Sequence, residues 1–110
     1  MGKIWSETNK YDLWLKVELA ACEAWVEEGI IPEEDMVLLR DAKYDYVRLN
    51  QIFESTRHDM TAFTRSITEN LGHEGRWIHL GLTSSDVMDT ALGLQMVEAA
   101  HLLDEGLSEL

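Results

Sequence analysis

The sequence predicts an all-α fold of about five helices, of which the first and the last are the longest. Apolar residues recur at helical spacing through most of the chain, and signals for helix starts and stops separate the segments that carry them. No stretch alternates apolar and polar residues for long enough to predict a strand. With 110 residues, 45% of them hydrophobic, the chain has apolar material for one small domain that spans residues 1–110.

The first helix is predicted from about Thr8 to Glu28, with Ser6 as its N-cap and Gly29 as its stop signal. It carries two apolar stripes, one made of Tyr11, Leu15, Leu19, Cys22 and Val26 and the other of Trp14, Val17, Ala21 and Trp25. A helix that is apolar on two sides is usually covered on two sides, so we expect a second cover from another subunit or from further sequence. The single cysteine, Cys22, lies among alanines and is expected to be a small core residue rather than a nucleophile.

Two shorter helices are predicted next. Pro32 and the three acidic residues after it are typical of a helix start, and this second helix is predicted to end near Ala42. The third helix is predicted from Asp45 to about Ser55. One face of it carries Tyr46, Leu49 and Phe53.

The fourth helix is predicted to open with a capping box formed by Thr56 and Asp59, to run to about Leu71 and to stop at Gly72. Its apolar stripe consists of Met60, Phe63, Ile67 and Leu71. A second face, polar and cationic, carries His58, Thr61, Arg65 and Thr68. This face lies at an electropositive helix start, which favours a ligand site, although an ordinary exposed polar side with an incidental histidine is the alternative.

The last helix is predicted from Ser85 to the chain end, after a capping box formed by Thr83 and Asp86. Its apolar stripe consists of Met88, Leu92, Met96, Ala99, Leu103, Leu107 and Leu110. Because no stop signal follows Leu110, we expect a longer chain to continue this helix into a bundle. Exposed apolar stripes seek cover, so the chain by itself is expected to self-associate or to be marginally stable.

The start of this last helix is also predicted to be an anion site. Thr83, Ser84 and Ser85 add hydroxyl groups to the free backbone N–H groups and to the positive end of the helix dipole, and Gly81 permits close approach to the backbone. A helix that is merely well capped is the alternative interpretation. We expect neither a metal ion nor a cofactor.

Charge and composition exclude several classes of partner. The net charge is −12, from 21 acidic and nine basic residues, which argues against a nucleic-acid surface. No apolar run reaches the about 18 residues of a membrane span, and the N-terminus lacks the pattern of a secretion signal. A single cysteine fits a reducing compartment, so we expect a cytoplasmic protein.

Two stretches resemble a known family. TRHDMTAFTR at residues 56–65 and RWIHLGLTSSDVMDT at residues 76–90 resemble the first two signature regions of the adenylosuccinate lyases, within the fumarase/aspartase superfamily. The stretch IWSETNKYDLWLKVELAACEAWVEEGIIP before them is similar to the N-terminal helical domain of that family. The resemblance covers nearly the whole chain, and it implies this N-terminal domain together with the start of a long bundle helix.

The resemblance implies a β-elimination that splits adenylosuccinate into AMP and fumarate, and likewise splits the related purine ribotide SAICAR. It assigns the contacts with the substrate to Arg57, His58, Asp59, His79, Thr83 and Ser84. His58 is placed close to the leaving nitrogen as a general acid or its helper, and is the one catalytic residue assigned here. Thr83 and Ser84 are placed on the succinyl carboxylate, whereas the role of His79 is left open.

The resemblance is incomplete. The Arg-Tyr pair that usually precedes the IWSE run is missing, and nothing matches the later histidine or the serine-rich loop SSxMPxKxN that supplies the base. The family assembles its active sites from three subunits of a homotetramer, so we expect this chain to be inactive alone, without the central bundle and the C-terminal domain. A non-catalytic helical module for assembly or interaction is the alternative function.

Overall fold

The structure is a computed structural model, and it describes residues 2–108. Five α-helices and one short 3₁₀ helix make up the described chain, and no strand lies within it. Their bounds are α1 Glu7–Glu27, α2 Glu33–Leu39, α3 Tyr46–Thr56, α4 Asp59–Thr68, the 3₁₀ helix His73–Trp77 and α5 Ser84–Ser108. The all-α prediction is confirmed.

Local signals set both ends of α1. The Ser6 hydroxyl accepts a hydrogen bond from the Asn9 backbone N–H at 3.2 Å, which satisfies one free donor of the first turn. At the other end Gly29 adopts φ +77°, the left-handed conformation that stops a helix. The predicted N-cap and stop are therefore both confirmed.

The core forms where α1 packs across α4. The rings of Tyr11 and Phe63 stack with their centroids 5.8 Å apart, and Trp14 meets Phe63 edge to face at 5.4 Å. Such aromatic pairs add to the stabilisation that comes from burying their surface. α3 packs against α4, and Leu49 and Ile52 of α3 are buried, whereas Tyr46 is 41% exposed.

The capping box predicted for Thr56 and Asp59 is wrong. Thr56 is the last residue of α3, and its hydroxyl donates a hydrogen bond to the Ile52 carbonyl at 3.1 Å. Arg57 follows in the left-handed conformation, with φ +56°, so His58 becomes the N-cap of α4. α4 also ends earlier than predicted, at Thr68.

α5 runs antiparallel to α1. Its start lies near the end of α1, where the Trp25 indole bonds to the Leu80 carbonyl, and Gln95 donates a hydrogen bond to the Ile4 carbonyl at 2.9 Å near the other end. Val87 and Ala91 are fully buried in this contact, because small side chains let the two helices approach closely.

The predicted apolar stripe of α5 is largely exposed. Met88, Leu92, Met96, Leu103 and Leu107 are between 39% and 68% exposed. Leu110, the last member of the predicted stripe, lies outside the described residues. Within the described part of the chain, no helix has both the length and the apolar character needed to cross a membrane.

Candidate functional site

The first group of predicted site residues lies at the two-residue link between α3 and α4. Arg57 and His58 are exposed, and Asp59 is the first residue of α4. The guanidinium of Arg57 has no ion-pair partner among residues 2–108. An unpaired, exposed cation beside a helix start is suited to contact an anionic ligand.

The ring of His58 is oriented by the helix that it caps. Its Nδ1 accepts a hydrogen bond from the Thr61 backbone N–H at 3.1 Å, and the Thr61 hydroxyl lies 3.0 Å from the same nitrogen. A backbone N–H can only donate, so Nδ1 carries a lone pair and the proton of the neutral ring sits on Nε2. His58 thus presents a hydrogen-bond donor at its outer nitrogen.

Asp59 lines a small polar cavity next to the link. One of its oxygens accepts a hydrogen bond from the Met60 backbone N–H at 2.8 Å. The cavity has a volume of about 170 Å³ and is lined by Glu7, Lys10, Tyr11, Asn50, Phe53 and Asp59. Burial raises the pKa of Tyr11, and the neighbouring carboxylates of Glu7 and Asp59 raise it further.

The second group lies on the loop between the 3₁₀ helix and α5 and on the first residue of α5. Three side chains of α1 hold this loop. The Cys22 thiol lies 3.6 Å from the Trp77 carbonyl, and the Trp25 indole donates to the Leu80 carbonyl at 3.0 Å. Glu18 makes the third attachment, to His79. Because these residues are one turn apart along α1, the loop is fixed along the end of that helix.

The sequence analysis missed Glu18, which holds the loop at His79. It is fully buried, and its two carboxylate oxygens bond to the backbone N–H of His79 at 2.8 Å and to Nδ1 of the same residue at 2.5 Å. A signal was present, because Glu18 interrupts the buried face of α1 four residues after Trp14 and four before Cys22. A carboxylate on a buried face requires a partner, but sequence alone does not identify it.

Gly81 is required where the loop passes Trp25. It adopts φ +71°, and a Cβ atom at this position would lie 2.9 Å from Cζ2 of the Trp25 ring. The sequence analysis assigned Gly81 to close ligand approach. In the structure Gly81 instead allows the loop to pass close to Trp25 of α1, which accounts for the glycine without a ligand.

The start of α5 forms the predicted capping box. The Thr83 backbone N–H donates to Oδ2 of Asp86 at 2.9 Å, and the Asp86 N–H donates to the Thr83 hydroxyl at 3.2 Å. The backbone N–H groups of Ser84 and Ser85 make no hydrogen bond to the rest of the described chain. These two groups and the Ser84 hydroxyl remain as donors for an anion, although Asp86 already places a negative charge on the turn.

The two groups have a common support in α1. Tyr11 packs on α4 just behind the first group, and Glu18 holds the second group. Positions seven residues apart share a helix face and lie about 10 Å apart along its axis. No hydrogen bond or ion pair joins the two groups directly within residues 2–108, and α1 contacts residues beside both of them.

The remaining polar residues near the loop have structural roles. Asp35 of α2 accepts hydrogen bonds from the Trp77 indole at 2.8 Å and from His73 at 3.0 Å, and Arg76 lies 3.9 Å from it. The bond from Trp77, followed by that from His73, holds the pKa of Asp35 below its ordinary value. The cluster fastens the 3₁₀ helix to α2.

Cys22 is 1% exposed, and burial raises the pKa of its thiol to about 11. The prediction that Cys22 is a core residue is therefore confirmed, because a thiol of this kind is a poor nucleophile at neutral pH. No group of three or more His, Cys, Asp or Glu side chains within residues 2–108 is arranged to hold a metal ion.

Comparison with known proteins places the whole chain in one family. The model of a family described as Lyase matches residues 1–110. Adenylosuccinate lyase from Bacillus subtilis (strain 168) is 48% identical over 104 residues, which are 94% of this chain and 24% of that protein. Adenylosuccinate lyase from Streptococcus mutans is 49% identical over 108 residues, with 97% and 25% covered. The chain thus spans about a quarter of the length of the curated relatives it matches.

A solved structure shares the fold. The crystal structure of fumarate lyase from Mesorhizobium sp. BNC1 superposes with a TM-score of 0.82 at 24% sequence identity, over 94% of this chain and 25% of that one. At this identity the likeness concerns the fold alone. It agrees with the all-α architecture that the sequence predicts.

Proposed function

The chain belongs to the lyase family, and from this premise we propose that it is the N-terminal, substrate-binding domain of an enzyme that splits adenylosuccinate into AMP and fumarate. Relatives named adenylosuccinate lyase that match almost the whole chain support this substrate. The same chemistry would act on SAICAR, so the enzyme would serve purine biosynthesis in the cytoplasm. The central bundle and the C-terminal domain are the parts we assign to the rest of the enzyme.

The single observation that carries the proposal is the common support of both signature regions by one face of α1. Phe63 of the first region stacks on Tyr11, and His79 of the second region bonds to Glu18. One rigid helix therefore holds both sets of proposed contacts at a fixed spacing. A substrate that carries separate anionic groups needs contacts of this kind at more than one point.

Each site residue has a proposed role that fits its surroundings. Arg57 and Asp59 contact the substrate at the start of α4, and His58 offers Nε2–H to the leaving nitrogen as an acid or as the helper of one. The hydroxyls of Thr83 and Ser84, with the free N–H groups of the first turn of α5, hold the succinyl carboxylate.

A complete site would need more than this chain. β-Elimination requires a base that removes the proton beside the carboxylate, and the residues proposed here bind the substrate or donate protons. We propose that the base and the principal acid come from the central domain, and that three subunits of a homotetramer complete each site. The isolated chain is expected to have no lyase activity.

The test is a heteronuclear NMR titration of the labelled chain with AMP and, separately, with fumarate. We expect millimolar fumarate to shift the amide signals of residues 81–86, and AMP to shift those of residues 57–60. Binding should be weak, because the negative charge of Asp86 opposes an anion at the start of α5. Ligand-induced shifts spread evenly over the chain would contradict a preformed site.

Two alanine variants at neighbouring positions test which hydroxyl group contacts fumarate. Ser84→Ala removes a proposed donor and leaves the capping box of Thr83 and Asp86 intact, so fumarate should bind several-fold more weakly. Ser85→Ala removes the neighbouring, exposed hydroxyl and should leave binding unchanged. Equal effects of the two substitutions would refute the assigned carboxylate contact, and a complete lack of shifts would favour a purely structural module.

A further inference from the structure

We propose that Glu18 is a positioning residue that keeps a proton on Nδ1 of His79 and so leaves Nε2 of that ring as the atom that meets the substrate. The substrate part of this inference rests on the proposed function. The orientation of the ring rests on geometry alone.

The carboxylate of Glu18 has no polar partner other than His79 within residues 2–108. One of its oxygens accepts a hydrogen bond from the His79 backbone N–H, and the other oxygen lies 2.5 Å from Nδ1 of the same residue. An ionised carboxylate can only accept hydrogen bonds, and a buried one must have its oxygens satisfied. Both conditions are met when Nδ1 carries a proton and donates it to Glu18.

The same carboxylate holds an unfavourable backbone conformation. His79 has φ +67°, in the left-handed region that residues other than glycine seldom occupy. Such a conformation persists when surrounding contacts determine it. The bond from its N–H to Glu18 is a contact of this kind, so one buried side chain fixes both the backbone and the ring of His79.

The other ring nitrogen is left available. The His79 side chain is 26% exposed, and Nε2 makes no hydrogen bond within the described part of the chain. With the proton on Nδ1, Nε2 of the neutral ring accepts a hydrogen bond, for example from a hydroxyl group of a nucleotide sugar. His58 has the opposite arrangement, since its Nδ1 accepts and its Nε2 donates. The two histidines would therefore provide one acceptor and one donor.

Glu18→Gln tests the inference because an amide cannot accept at both ends. The Gln oxygen can accept the hydrogen bond from the His79 backbone N–H, and the amide NH₂ then faces Nδ1. Nδ1 must then accept, so the proton of the ring moves to Nε2. The substitution keeps the size of the side chain, and amide spectra recorded on both chains show whether the fold is preserved.

The measurement is a long-range nitrogen–proton correlation spectrum of the imidazole rings, recorded without ligand at a pH well above the value of about 6.5 at which a free imidazole titrates. We expect Nδ1 of His79 to give a protonated, pyrrole-type signal in the wild type and a pyridine-type signal in Glu18→Gln. His58 is the internal control, with Nε2 protonated in both chains. Glu23→Gln, the same substitution on a partly exposed position of α1, should leave the His79 signals unchanged.

Two results would overturn the inference. One is a wild-type His79 whose Nδ1 carries no proton, and this result does not depend on whether the variant folds. The other is a folded Glu18→Gln chain in which Nδ1 of His79 keeps its proton, as a purely space-filling role of Glu18 would allow. Because no ligand is present, either result leaves the proposed substrate to be judged by the titration with AMP and fumarate.

Discussion

Among single residues, Arg57 and His79 stand out by their backbone. They are the two non-glycine residues with positive φ in the described chain, at +56° and +67°, and both belong to the proposed site. Each such conformation costs on the order of 1–2 kcal/mol and has to be held by its surroundings. At Arg57 it ends α3, and at His79 it places the backbone N–H on Glu18.

Gly81 and Gly29 provide a matched pair for a stability measurement. Both have positive φ, but an added Cβ meets open space at Gly29 and lies 2.9 Å from the Trp25 ring at Gly81. We expect Gly29→Ala to lower the free energy of unfolding by about 1 kcal/mol through its φ alone. Gly81→Ala should lower it by roughly 1–3 kcal/mol more, since Trp25 is tied to Leu80 and cannot move away freely.

Chemical denaturation, followed by tryptophan fluorescence, gives both free energies. If the two alanine variants lose the same stability, the contact between the loop and Trp25 is not as close as described. The amide signals of residues 81–86 provide a second measurement. They should move in Gly81→Ala and remain in place in Gly29→Ala.

At this scale, sequence reasoning succeeded where the partners are close in the chain. The capping box of Thr83 and Asp86 spans three residues, and the bond that its spacing indicated is present. Glu18 and His79 are 61 residues apart, and their pairing depends on how α5 returns along α1. No local pattern contains that information. The positions of Arg57, Asp59, His79, Thr83 and Ser84 are now described, while their contacts with a substrate stay predictions.

Among the elements, the attachment of the 3₁₀ helix to α2 should respond to pH. Asp35 has a pKa held below its ordinary value of 3.8, first by the hydrogen bond from Trp77 and then by that from His73. A carboxyl group whose pKa is lower in the folded than in the unfolded state stabilises the fold at pH values above its unfolded-state pKa. This stabilisation is lost as the pH falls through the folded-state pKa. The free energy of unfolding should therefore decrease on acidification below about pH 4.

The pH dependence can be assigned to this carboxyl with two variants. Asp35→Asn removes the titrating group. The free energy of unfolding of this variant should therefore change less than that of the wild type between about pH 5 and about pH 3, the range in which carboxyl groups titrate. Glu34→Gln, at an exposed neighbouring position of α2, should retain the wild-type dependence. A full wild-type slope in Asp35→Asn would contradict the role given to the cluster.

The predicted helix bounds hold at both ends of α1 and at the start of α3, and they fail at the start of α4. Ser6 and Gly29 act as predicted at the ends of α1. The third helix was predicted from Asp45, which is the N-cap of α3 and accepts a hydrogen bond from the Arg48 backbone N–H at 3.1 Å. At α4 the pattern of Thr56 and Asp59 was misleading, because α3 extends through Thr56. The 3₁₀ helix was missed, since a five-residue segment has no hydrophobic periodicity to detect.

For the molecule as a whole, the exposed stripe of α5 predicts self-association. Leu92, Met96 and Leu103 are 47%, 58% and 61% exposed on one long helix, and apolar surface of this extent favours contact with another copy. Sedimentation velocity over a concentration series should show species larger than the 110-residue monomer that dissociate on dilution.

A pair of acidic substitutions tests this expectation. Leu92→Glu should shift the distribution toward monomer, whereas Thr90→Glu, which lies two residues away on a different face of α5, should not. Both variants add one negative charge, so a difference between them cannot come from net charge. A wild-type chain that sediments as a monomer at every concentration would contradict the expectation.

The link between α3 and α4 makes the number of residues there as important as their identity. Only Arg57 and His58 separate the two helices, and His58 is already bonded to the first turn of α4. An inserted residue would lengthen a link whose two residues both serve as helix caps, so it would disturb the packing of Phe63 on the rings of α1. A protein engineer can therefore exchange side chains at this link but should place any added peptide elsewhere, such as the exposed turn at Gly29.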